Sequence, residues 1–161
     1  MDGFLELQSA EHLLVKLRHD FALLEERPMD TYRAFNFFVT AEHMADWKFP
    51  GRSNDTPRKQ IRKHNILLQI CSHLANGLKH FRAEAKHHQS VTGAVKSSGV
   101  YGNAYPDTYL DVHPRGIIIR LEGDAEDTYG DSMYAVDLAR KTLQFWETIC
   151  SAKQKKGDAA H

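Results

Sequence analysis

Apolar residues recur early in the chain at alternating steps of three and four, the spacing that lines one face of an α-helix: Leu7, Ala10, Leu14, Leu17, Phe21 and Leu24. This predicts a first helix ending near Glu26, where Arg27-Pro28 stops it, because the residue before a proline is driven out of the α region. Asp30 or Thr31 then caps a second helix, TYRAFNFFVTAEHMADW, which is aromatic over most of its circumference and carries a polar stripe of Arg33, Asn36, Thr40 and His43. The stretch KFPGRSNDTP collects the residues of an irregular connection. Thr56 and Pro57 at its end predict the N-cap and first position of a long third helix. That helix buries Leu67, Cys71, Leu74, Leu78 and Phe81, interrupted by Gly77, and carries a second polar stripe of Arg62, Asn65, Gln69, His73, Asn76 and His80.

After His88 the period changes. Val91, Gly93 and Val95 are strand and turn chemistry, and residues 109–112 and 117–122 predict a strand pair across the tight turn His113-Pro114-Arg115-Gly116. The acidic stretch 123–131 reads as a connection ending at Asp131 or Ser132, the N-cap of a last helix. Val136, Ala139, Leu143, Trp146 and Cys150 form the apolar face of that helix, and Lys153 to Lys156 with Gly157 form its end. Trp47, Trp146, Phe35, Phe38 and Phe145 are expected in the core. The plan is a mainly α single domain over residues 1–161. It is a four-helix up-and-down bundle with a small antiparallel β-hairpin or sheet, about residues 91–123, inserted between the third and fourth helices.

Composition supports one globular unit. The chain has 161 residues, 42% of them hydrophobic, and 21 Lys and Arg balance 21 Asp and Glu. A chain of this length buries enough surface to fold without metal or disulfide, and its neutrality argues against broad electrostatic capture of nucleic acid or an anionic membrane. An acidic residue at Asp2 and the lack of any apolar run near the roughly 20 residues needed to span a bilayer predict a cytoplasmic protein with no membrane partner. Cys71 and Cys150 fall inside helical patterns, as reduced, buried thiols do. Gly93, Gly99, Gly102 and Gly116 form no phosphate loop ahead of a helix, so no cofactor is expected.

The unusual count is ten histidines. The two polar stripes that hold His43, His73 and His80 are built from Asn, His, Gln, Thr and Arg, groups suited to directional hydrogen bonding in a groove. If the second and third helices are antiparallel neighbours, Arg33 and Asn36 approach His73, Asn76 or His80. The segment LANGLKHF, residues 74–81, resembles the motif region of the HEPN superfamily, whose nucleases carry Arg, a polar residue, three variable residues and His on one helix. Asn76 and His80 match the polar and His positions, while Ala75 stands at the Arg position. The same segment resembles uncharacterised bacterial and phage proteins.

The HEPN resemblance implies metal-independent RNA cleavage, with His80 as general acid or base beside Asn76 and a cation on the phosphate. With Ala75 in place of that cation, it implies a nucleic-acid-associated or regulatory domain with weak or no catalysis. Arg33 would then be the replacement cation, and His73, His43, Asn36 and Lys79 would line the groove. The literal Arg-x4-His at Arg82 and His87 is coincidental at this helix end. RNA, a protein or a second copy of the chain are the expected partners. Two alternatives carry no such chemistry: a helical scaffold or oligomerisation protein, and a metal-binding bundle. The metal reading is weak because His73, His80 and His87 recur every seven residues, about 10.5 Å apart along a helix axis, too far to meet on one ion. Tyr101, Tyr105 and Tyr109 either seal the sheet onto the bundle or offer a partner surface.

Overall fold

The computed structural model of the chain describes residues 5–80, 89–98 and 115–151, with the side chains of residues 78–80 excepted. Helix α1 (Ala10–Glu26) starts at Ser9, whose hydroxyl accepts the His12 amide, and ends at Arg27, whose N–H returns to the Leu23 carbonyl. The short link through Pro28 leads into α2 (Thr31–Lys48), capped by the Asp30 carboxylate accepting from the Tyr32 and Arg33 amides. Such a short link makes the two helices packed neighbours.

The expected single third helix is two helices, α3 (Asp55–Lys63) and α4 (Ile66–His80). The break falls at His64 and Asn65. The Asn65 side chain accepts the Leu68 amide and its carbonyl accepts from Gln69, so Asn65 starts a new helix instead of joining a continuous polar stripe. The start of α3 also lies at Asp55, ahead of the expected Thr56 cap.

Among the described residues three strands, β1 (Val91–Ser97), β2 (Gly116–Leu121) and β3 (Ser132–Tyr134), form an antiparallel sheet in the order β1-β2-β3. Val95 and Tyr134 both stand opposite Ile118, and the register slips between Val91 and Gly93. The partners of residues 117–122 are thus β1 and β3. The strand expected at residues 109–112 lies outside the described residues, as do Tyr101, Tyr105 and Tyr109, most of the expected turn, and the segments holding Arg82, His87 and Lys153 to Gly157. Two elements were not expected. A short helix, α5 (Asp124–Tyr129), lies between Gly123 and Gly130, both at positive φ. The Ser132 expected to cap the last helix instead belongs to β3, which pairs with Ile118, Ile119 and Arg120 and runs directly into α6 (Ala135–Ser151).

Alternation along β2 buries Ile117, Ile119 and Leu121 and exposes Arg120. The buried face joins one hydrophobic cluster with Leu17 and Leu24 of α1, Phe37 and Met44 of α2, Ile70 and Cys71 of α4, Ala125 of α5 and Leu138 and Trp146 of α6. Phe38 is buried in it, while Trp47 and Phe145 are partly buried against it. Phe35 is half-buried and lies outside the cluster. The Ile117 amide donates to the Pro28 carbonyl at 3.2 Å, tying the sheet to the α1–α2 link. The molecule is therefore mainly helical with a small antiparallel sheet between α4 and α6. No helix among the described residues is long and apolar enough to cross a membrane.

Both cysteines are free and buried. Burial pushes the Cys71 thiol up to about 12, with Thr142 beside it, and raises Cys150 as well. Native protein at about pH 8 is expected to resist alkylation at both thiols until it unfolds, read by mass spectrometry with and without denaturant. Because the folded thiol titrates above its ordinary value of 9.0, Cys71 favours the fold fully below that pH and withdraws that support as pH climbs toward about 12.

Candidate polar pocket between the last bundle turn and the sheet

The polar stripe of α4 does not present one common surface. Its first member, Arg62 at the end of α3, turns to α2, with Nη2 3.1 Å from the Glu42 carbonyl and 3.2 Å from Asp46 Oδ1, and Nε 3.2 Å from Glu42 Oε1. Gln69 lines an open cavity of about 550 Å³, together with Gln89, Ser90, Glu122, Gly123, Asp124 and Ala125. This cavity lies where α4, the start of β1, the end of β2 and α5 meet. Gly123, at φ 57°, makes the corner of its wall; a Cβ there would sit 3.2 Å from the Gln89 carbonyl.

His73 holds the Ser90 segment of this pocket's wall. Its Nδ1 lies 3.1 Å from the Val91 amide and 3.3 Å from the Ser90 amide, with the Ser90 hydroxyl at 3.4 Å. Two backbone N–H groups can only donate, so Nδ1 is an acceptor and the ring proton of the neutral form resides on Nε2. Ser90 is buried, and its carbonyl in turn accepts the Glu122 amide at 3.3 Å.

The other sequence candidates are dispersed. Arg33 Nη1 donates to the Leu23 carbonyl at 2.6 Å and to Glu26 at 2.7 Å, and Nε lies 3.6 Å from Asp30. It therefore ties the start of α2 to the last turn of α1, and its guanidinium holds the Glu26 carboxyl below the usual range. Asn76 donates back to the Ser72 carbonyl at 2.8 Å. Asn36 is exposed, and its carbonyl accepts the Thr40 hydroxyl. His43 Nδ1 lies 3.5 Å from Asp46. Lys79 and His80 belong to the last turn of α4, and their side chains lie outside the described residues. Arg33 thus turns to the end of α1, and Asn76 to its own helix.

A group that the sequence pattern passed over is the buried Asp20, which accepts from the Thr40 hydroxyl at 2.6 Å and from Lys16 at 2.5 Å. Thr40, expected on a groove-facing stripe, is buried against α1 through this bond. The signal for Asp20 was present: it sits three residues after Leu17 and four before Leu24, on the buried face itself. Among the described residues no group of three or more His, Cys, Asp or Glu is placed to hold a metal ion. Comparison with protein-family models, with characterised proteins and with solved structures returns no match for this chain.

Proposed function

We propose that this protein is a HEPN-like helical bundle that works as a regulatory binding module without catalysis, its ligand-facing surface being the polar pocket between α4, the sheet and α5. In this reading α1, α2, α4 and α6 are the four bundle helices, supported by the packing of α1 on α2 and α6 and of α2 on α4. The observation that carries the proposal is how the candidate catalytic groups are engaged. Arg33, the cation that would serve a phosphate, is held by a carbonyl and by Glu26 at the opposite end of the α1–α2 pair's link. His73 supports a strand, and Asn76 donates back to a carbonyl of its own helix.

The pocket, by contrast, gathers polar residues where α4, the start of β1, the end of β2 and α5 meet, the Gln69 amide there donating to the Lys63 carbonyl at 2.7 Å. Two carboxylates, Glu122 and Asp124, and two carboxamides, Gln69 and Gln89, line it. Such a wall repels phosphate and attracts donors, so the favoured ligand class is a small organic cation bearing ammonium or guanidinium groups. Losing the phosphate-facing cation of an RNA-cleaving site costs about a hundredfold or more in rate. Accordingly, mixed RNA incubated in EDTA with wild-type protein and with His80→Ala is expected to show the same background in gel assays. Cleavage by the wild type that His80→Ala abolishes would overturn the non-catalytic reading.

A further inference from the structure

A titratable side chain, His73, accepts from the backbone at the start of a strand, beside a residue that lines a cavity. We infer that His73 is a pH-sensitive latch on that pocket, closed while the imidazole is neutral and released when it is protonated. The inference rests on the pocket reading only for what the latch controls.

The chemistry is one of lone pairs. Neutral His73 offers Nδ1 as the shared acceptor for the amides of Ser90 and Val91, at 3.3 and 3.1 Å. Protonation places a hydrogen on that nitrogen, so three donors then face one another and the two strand amides lose their partner. A buried backbone donor left without an acceptor is unfavourable enough that the segment moves to find water. What moves is the start of β1, already irregular because its register slips between Val91 and Gly93. The effect reaches the pocket through two consecutive bonds: His73 holds the Ser90 amide, and the Ser90 carbonyl holds the Glu122 amide. Gln89, Ser90 and Glu122 all line the cavity.

Charged groups near the pocket and α4 come from several elements. Glu122 follows β2 and Asp124 starts α5, both on the pocket wall, and Glu42 of α2 lies close enough to Cys71 to act on its thiol. At the ring itself, the Ser90 and Val91 amides that donate to Nδ1 need the unprotonated nitrogen. Glu126 and Asp127 of α5 are exposed, and Lys96 of β1 lies at the far end of its strand, opposite Ile117. From α6, the uncharged Thr142 faces Cys71. The folded contact needs the neutral ring, so the latch is complete above the ordinary imidazole range near about 6.5 and weakens as pH falls through it. Carboxylates titrate well below that window, which isolates the histidine.

Amide hydrogen exchange read by NMR on ligand-free protein tests the latch. Corrected for intrinsic rates, protection at Ser90 and Val91 is expected to fall about tenfold between about pH 7.5 and about 5.5. The Leu121 amide, bonded to the Asp131 carbonyl at 2.8 Å on the other side of the sheet, is expected to hold its protection and reports on global stability. His73→Asn places an amide oxygen where Nδ1 stood and does not titrate, so its protection at these two positions is expected to be independent of pH. Unchanged protection in the wild type, loss in step with Leu121, or the same loss in His73→Asn would each overturn the latch. Because no ligand is present, a pocket that binds nothing fails in its own titration and leaves this result intact.

Discussion

Replacing Trp146 by alanine is expected to destabilise the protein by about 4 kcal/mol, the scale of a large aromatic removed from a packed core. Trp146 is fully buried on α6, stacks edge-on against Phe145 at 5.2 Å, and belongs to the cluster that joins α1, α2, α4 and β2. A chain of this size loses roughly 10 °C or more of melting temperature for such a change. Trp146→Phe should behave differently. The indole Nε1 is buried and has no hydrogen-bond partner among the described residues, so phenylalanine keeps most of the packing and removes an unsatisfied donor. Its expected cost is within about 1 kcal/mol of zero. Calorimetry of the two variants checks the pair, and equal losses would contradict the packing account.

Asp20→Ala is the second large effect, at about 3 kcal/mol. The Asp20 carboxylate is nearly inaccessible, and removing it leaves the Lys16 ammonium and the Thr40 hydroxyl without their shared acceptor in the α1–α2 seam. Lys16 is 40% exposed and regains water, which limits the penalty. Thr40→Val removes one neutral donor whose alternative, the Asn36 carbonyl, is 2.9 Å away, and its expected cost is about 1 kcal/mol. Chemical denaturation curves for the two variants should keep this order. A smaller loss for Asp20→Ala than for Thr40→Val would show that the carboxylate does not organise the seam.

These two sites show where the chain's pattern is informative. Long helices announce themselves: Leu14, Leu17, Phe21 and Leu24 for α1, and Val136, Ala139, Leu143 and Trp146 for α6, repeat often enough that periodicity outweighs any single residue. Asn65 could be read either as a member of a polar stripe or as a cap, because its spacing satisfies both; only the path of the backbone decides. The short elements α5 and β3 have too few residues to carry a period. They exist because β2 offers an edge to Ser132–Tyr134 and because two glycines accept positive φ around residues 124–129. For the candidate site the division is similar. Arg33 has acidic partners at Glu26 and Asp30, seven and three residues before it, so its structural engagement was open to local reasoning. The pocket was not, since Gln69, Gln89, Glu122 and Asp124 converge through the sheet. Their spacing along the chain gives no hint of a common wall.

The proposed ligand surface is this polar pocket, in place of a nucleic-acid groove around Arg33, Asn76 and His80. Isotope-labelled protein titrated with spermidine, and separately with single-stranded RNA, tests it residue by residue. Spermidine is expected to shift the amides of Gln69, Gln89, Ser90, Gly123 and Ala125 in a saturable manner, with RNA leaving the spectrum in place. RNA-induced shifts at Arg33 and Asn76, with the pocket amides silent toward spermidine, would contradict it.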